Sequence, residues 1–133
     1  MRFLLDTCVL SDFARGDVAT LAHLKEVSPD DLAINTVTAM EIDYGSRLNL
    51  RLARRLRPIM DAFLESVHLL PYDRAAARAT AELRTMLKRT GRPMGAYDAL
   101  IAGTALAEGL ILVTSNVREF SRVGTLRFED WRL

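Results

Sequence analysis

Three acidic residues, Asp6, Glu41 and Asp98, and one polar cluster, Thr114-Ser115-Asn116, are the positions at which this sequence could do chemistry. Each lies in apolar surroundings. Asp6 follows Phe3-Leu4-Leu5, Glu41 lies a few residues beyond Leu32-Ala33-Ile34, and Asp98 is flanked by Tyr97, Ala99, Leu100 and Ile101. The polar cluster ends the run Leu110-Ile111-Leu112-Val113. A charge at the end of a buried strand, or on a buried helix, costs stability unless something pairs with it. Three carboxylates brought together repel strongly unless a multivalent cation joins them. An all-oxygen set without a histidine or cysteine cluster suits Mg2+, with Mn2+ as a substitute, rather than zinc. His23 and His68 are isolated and read as surface or packing residues.

Every one of these acids also has a purely structural reading. Asp6 can be a turn or N-cap acid, with Asp6-Thr7 and Asp12 opening a loop. Thr38-x-x-Glu41 matches a capping box, in which the glutamate bonds back to the start of its own helix. Asp98 in a first helical turn favours the helix dipole. Position by position these alternatives stay open; what distinguishes the acids is that their elements bring them to one edge.

Those elements alternate between short apolar runs and amphipathic stretches, the pattern of an α/β fold. Strands are expected at Arg2–Leu5, Asp31–Asn35, Val67–Leu70, Leu110–Thr114 and, more weakly, Thr125–Phe128. Helices are expected at Val18–Val27 behind Asp17, Thr36–Leu48, Leu50–Ser66 with a kink at Pro58, Arg74–Arg89 behind Asp73, Ala96–Glu108 stopped by Gly109, and a short turn at Val117–Phe120. Short connections between them predict a three-layer α/β/α sandwich around a mostly parallel sheet. In such a sheet the ligand site lies at the carboxyl ends of the strands, where Asp6 and Thr114-Ser115-Asn116 both fall.

The chain has 133 residues, half of them hydrophobic, which predicts one domain over residues 1–133 with a sizeable core. No apolar run is long enough for a signal-peptide core or a membrane span, and the single cysteine, Cys8, precludes an internal disulfide. A cytoplasmic setting without membrane association is the expectation. Net charge is only +1, yet five arginines (Arg47, Arg51, Arg54, Arg55 and Arg57) fall within eleven residues. Such a cluster is either a solvated helix face or a phosphate-gripping surface, with Arg47, Arg51, Arg54 and Arg55 as candidate RNA contacts.

Four motifs in order carry a resemblance. Leu4-Leu5-Asp6-Thr7, Thr38-Ala39-Met40-Glu41-x-x-x-Gly45, Gly95-Ala96-Tyr97-Asp98-Ala99-Leu100-Ile101-Ala102 and Val113-Thr114-Ser115-Asn116-Val117-Arg118-Glu119-Phe120 follow the pattern of the PIN-domain family. Within that family the chain resembles the VapC-type toxins and their FitB-like branch, from about Arg2 to Phe128. The resemblance implies a metal-dependent endoribonuclease toxin that inhibits translation by cutting RNA, tRNA or rRNA being the expected substrates. It also implies a homodimer and a cognate VapB-like antitoxin. Asp6, Glu41 and Asp98 correspond to the family's acidic metal site, with Asp98 or Asp6 accepting the proton of the attacking water. Thr7 and Thr114 correspond to hydroxyl positions beside the acids. Many relatives carry a fourth acid where this chain has Asn116; the role falls to Asn116 itself ahead of Glu119. Cys8, where relatives often carry a small polar residue, reads as packing, since a thiol is a poor Mg2+ ligand.

Two rival readings of the sequence remain. A phosphohydrolase with Asp6 as nucleophile would need a second acid two residues on, where Cys8 stands. A catalytically weak PIN-like module that binds RNA or protein would treat Asn116 as a lesion, which the three intact acids oppose.

Overall fold

Short apolar runs supply five strands: β1 (Phe3–Leu5), β2 (Leu32–Asn35), β3 (His68–Leu70), β4 (Ile111–Val113) and β5 (Phe128–Glu129). The computed structural model describes residues 1–132, and in it these strands form one sheet in the order β3-β2-β1-β4-β5. Every neighbouring pair is parallel, so the sheet is wholly rather than mostly parallel. Leu4 pairs with Ala33 on one side and Leu112 on the other.

Side chains alternate along a strand, and here the two parities feed two separate cores. Leu4, Ala33 and Leu112 pack on one face against Leu83 and Leu87 of α5 (Arg74–Arg89) and Ile101, Ala102 and Ala105 of α6 (Ala96–Glu108). Phe3, Leu5, Ile34 and Val113 pack on the other face. There they meet Val9 and Leu10 of α1 (Thr7–Arg15), Leu24 of α2 (Val18–Glu26), Ile42 of α3 (Thr36–Leu48), and Met60 and Phe63 of α4 (Leu50–Ser66). The result is the expected three-layer sandwich. His68 is exposed on β3, while His23 stacks on Trp131 at 5.3 Å, so neither joins a site.

Five of the six expected helices have the bounds read from sequence, and α2 ends one residue early at Glu26. Asp73 caps α5 through a 2.9 Å bond from the Ala76 N–H, and Asp17 caps α2 through Thr20. α4 continues through Pro58, whose ring removes one helical donor without ending the helix. α1 is an addition to the sequence reading: the segment after Asp6 is a helix, not a loop. The last strand lies later than expected, at Phe128–Glu129 instead of Thr125–Phe128, and Leu126 packs into the core.

The chain runs outward from β1 through β2 to β3, then returns to place β4 on the other side of β1. The connections therefore diverge between β1 and β4, which opens a crevice beyond their carboxyl ends. Asp6 and Thr114 stand at its mouth. α7 (Val117–Phe120) follows directly after β4.

Candidate active site

Asp6 leaves β1 and caps α1, its Oδ1 accepting the Thr7 N–H at 2.8 Å. The residue is only 5% exposed, so its second oxygen needs a partner inside the protein. Thr114, just beyond β4, donates its hydroxyl to Asp6 Oδ2 at 2.8 Å, and the Cys8 thiol donates to the same oxygen at 3.4 Å. Thr114 Oγ1 in turn accepts the Asn116 N–H at 3.0 Å, and Cys8 Sγ accepts the Ser115 N–H at 3.3 Å. Cys8 is thus part of the polar network as well as packing against the core. Burial, and then the charge of Asp6, push its thiol pKa up.

Glu41 does not form the capping box that its sequence suggested. α3 begins at Thr36, and Asn35 is its N-cap, accepting the Val37 N–H at 2.8 Å. Asn35 is held from behind by donating to Thr104 Oγ1 and the Leu70 carbonyl. With the helix start satisfied by Asn35, Glu41 is free to reach across to α1, where its Oε1 accepts the Thr7 hydroxyl at 2.8 Å. Thr7 therefore ties the acid of α3 to the helix that Asp6 opens. Thr38, one turn before Glu41, is fully buried, and its hydroxyl has no hydrogen-bond partner.

Asp98 sits in the first turn of α6, whose following residues Ala99, Ile101, Ala102 and Ala105 are buried in the core. Gly95 caps this helix without a side chain. In place of a capping side chain, Glu119 from α7 reaches over and accepts the Gly95 N–H. Asn116 donates its side-chain amide to the other oxygen, Glu119 Oε2, at 2.9 Å. Glu119 and Asp98 share a hydrogen bond, and they divide the proton unequally. Burial, with the hydrogen bond and charge of Glu119 and the charges of Asp6 and Glu41, pushes Asp98 up to about 7. The Gly95 N–H, with the bonds from Asp98 and Asn116, holds Glu119 below the usual carboxylate range.

The four acids thus form two hydrogen-bonded sets, Asp6 with Glu41 through Thr7, and Asp98 with Glu119, close enough that the charges of the first set raise the pKa of Asp98. Among the described residues no three acids, histidines or cysteines already stand as a closed metal cage. The donor set nonetheless fits a hard divalent cation: every group is an oxygen, and the one carboxyl forced towards neutrality is pushed there first by burial and then by the hydrogen bond and negative charges of its neighbours. Glu119 belongs in this cluster more directly than sequence reasoning allowed. Asn116, favoured for the fourth position, contacts the acids through Glu119. The missed signal is the three-residue step from Asn116 to Glu119, which puts both on one side of a single helical turn.

Beside Thr7 and Glu41 a groove of about 270 Å3 opens between α1, α3 and α4, floored by Ile42, Leu52, Leu56 and Met60 with Arg15 at its edge. Of the clustered arginines, Arg47 is paired with Asp43 at 2.9 Å, and Arg57 with Asp61 at 2.7 Å. Arg51, Arg54 and Arg55 are exposed, with no carboxylate among the described residues within ion-pair distance.

Comparison with known proteins agrees with this geometry. The family model described as the PIN domain matches residues 3–126. A Shigella flexneri protein named tRNA(fMet)-specific endonuclease VapC is 39% identical over 131 residues, covering 98% of both chains. Ribonuclease VapC2 of Haemophilus influenzae is 31% identical, also over 98% of each. A chain in the crystal structure of DNA-bound VapBC from Salmonella typhimurium superposes with a TM-score of 0.90 at 34% identity, covering 98% of both chains. FitAcB from Neisseria gonorrhoeae gives 0.86 at 26% identity, over 98% of this chain and 99% of that one. With a family model spanning nearly the whole chain and relatives above 30% identity end to end, this chain belongs to the PIN-domain family.

Proposed function

We propose that this chain is a VapC-type endoribonuclease toxin that hydrolyses RNA phosphodiester bonds with Mg2+, or Mn2+ in its place. The observation that carries the reading is the gathering of Asp6, Glu41, Asp98 and Glu119 at the carboxyl ends of β1 and β4, with Asp98 pushed up to about 7. Asp6, Glu41 and Asp98 are the residues to hold the cation, with Glu119, steered by Asn116, completing the acidic side. A bound divalent cation supplies charge stabilisation for the phosphodiester and acidifies a water. The protein's part is to fix orientation. Thr114 and Cys8 hold the Asp6 carboxylate, Thr7 holds Glu41, and Gly95 holds Glu119. A cation held there would favour the ionised form of Asp98, so uptake of the metal and loss of the Asp98 proton would be coupled.

Two relatives, 39% and 35% identical, are named for cleavage of tRNA(fMet), and we extend that substrate class to this chain. Loss of an initiator tRNA would stop translation. The VapBC and FitAcB structures support a VapB-like antitoxin as partner, and the apolar groove beside Glu41 suits its seat because an occupant there would cover the acids. A homodimer is supported by Met40, Tyr44 and Leu48, which lie four residues apart on the outer side of α3 and are 42%, 62% and 70% exposed.

The test is Asp98→Asn. Cleavage of purified tRNA should fall to background, the circular dichroism spectrum should not change, and the Mg2+-induced rise in melting temperature should shrink. Cleavage persisting near the parent rate would remove Asp98 from the site.

A further inference from the structure

Lys88, the only lysine besides Lys25, lies near the C-terminal end of α5. Ala81, Arg84, Thr85 and Lys88 follow the i, i+3, i+4, i+7 spacing and so share one outer face of α5. Opposite them the chain returns through Pro93 and Met94, enclosing a groove of about 600 Å3 floored by Leu87. Arg84 and Lys88 are both exposed. Neither has a carboxylate among the described residues within ion-pair distance. The acid on the same stretch, Glu82, lines the neighbouring furrow rather than this one.

A basic end to a helix often serves only to complement its carbonyls. Here those carbonyls already have partners: the Thr90 N–H bonds the Met86 carbonyl, the Gly91 N–H that of Lys88, and the Arg92 N–H that of Leu87. Arg84 also lies too far from the helix end for the dipole to account for it. The location is informative. α5 and α6 form an antiparallel pair joined by a short turn, so the C-terminal half of α5 lies at the same end of the molecule as Asp98. The turn is a wall common to both places. Gly95 donates to Glu119 on the acidic side, and one residue earlier Met94 lines the basic groove. Arg122 pins this wall by donating to the Pro93 carbonyl at 2.7 Å.

We propose that this groove binds backbone phosphates of the RNA strand next to the scissile bond, with Arg84 and Lys88 as the phosphate contacts. The proposal rests on the ribonuclease reading above and adds to it a direction for the strand: over the 93–95 turn and onto α5. Arginine grips a phosphate with its planar fork and lysine as a point charge, so the contacts contribute affinity and register without reading bases.

The experiment uses the Asp98→Asn chain, which should bind RNA without cutting it, and a labelled single-stranded oligoribonucleotide followed by fluorescence anisotropy over a salt series. Adding Arg84→Ala and Lys88→Ala should weaken binding and reduce the slope of log affinity against log salt by about 1.4, two contacts at roughly 0.7 each. The charge-keeping pair Arg84→Lys and Lys88→Arg should retain most of the slope, which a merely structural role would not predict. Arg54→Ala with Arg55→Ala, run alongside, measures the α4 arginines independently. Parent-like slope in the α5 pair, with binding intact, would overturn the groove alone. Absence of any salt-dependent RNA binding by the Asp98→Asn chain would overturn the ribonuclease reading and the groove with it.

Discussion

At Gly95 the lack of a side chain lets a neighbour in. A Cβ built there would stand 3.3 Å from Glu119 Oε1 and 3.5 Å from Asp98 Oδ2, so the glycine leaves room for two acids to meet over a helix start. Asn116 steadies the arrangement from the other side. Asn116→Asp would remove that donor and face Glu119 with a second negative charge. In EDTA the variant should lose stability, about 1 kcal/mol or roughly 3 °C in melting temperature. With Mg2+ the added charge should tighten binding about ten-fold, a net gain of about 1.4 kcal/mol after desolvation and repulsion. A magnesium titration of thermal unfolding checks both signs, and equal shifts in EDTA and Mg2+ would separate position 116 from the metal. Thr38 poses the opposite case, a buried hydroxyl without a partner. Thr38→Val keeps the shape and removes the unmet group, so it should stabilise the metal-free chain by about 1 kcal/mol in urea unfolding. A loss of stability would mean that the hydroxyl is bonded in solution.

Elements were legible where one physical signal dominated. α5 has a capping aspartate, an alanine-rich body and a glycine stop, and its bounds are Arg74–Arg89 as read. α1 was not legible, because Thr7, Ser11 and Asp12 are turn-forming residues and only packing of Val9 and Leu10 against the sheet selects the helix. Glu41 was ambiguous for a related reason: Thr38-x-x-Glu41 has the right spacing for a box, but whether the box forms depends on where the helix starts. Asn35 settles that by capping the helix three residues before Thr38, where the box would need its cap. Gly103 belongs to the same scale. A Cβ there would lie 1.9 Å from Thr80 Oγ1 and 3.0 Å from the Ala76 carbonyl, so α5 and α6 touch at this point. Gly103→Ala should cost about 3 kcal/mol through overpacking, and adding Thr80→Ala should recover only part of it, since the carbonyl remains. Chemical denaturation of the single and double variants measures the difference. Full recovery would place the whole clash in the Thr80 hydroxyl.

The whole molecule feels the acids through pH. Asp98 is raised from its ordinary value to about 7, so the folded state prefers the protonated form. That contribution is fully present below about 4 and is lost as pH rises towards 7. Glu119 acts in the opposite sense, its contribution being lost as pH falls below the usual carboxylate range. Between about pH 5 and 7.5 the Asp98 effect governs, and metal-free stability should decline as pH rises. Saturating Mg2+ should flatten or reverse the slope, because the cation takes the place of the proton. Melting temperatures in EDTA and in Mg2+ across this range test it; a flat profile in EDTA would mean that Asp98 is ionised without metal.

The bond between Asp6 and Thr114 joins residues 108 positions apart in the chain. β1 occupies the middle of the sheet, yet one of its two neighbours is β4, which is made long after it. During synthesis, at about 5–20 residues per second, the first acid therefore waits several seconds for the strand that holds its carboxylate in place. Until then Asp6 lacks its Thr114 donor, the Asp98–Glu119 pair does not exist, and the crevice has only one wall. The acidic cluster is therefore completed late, once β4 and the segment after it have docked, and not gradually as each acid is added.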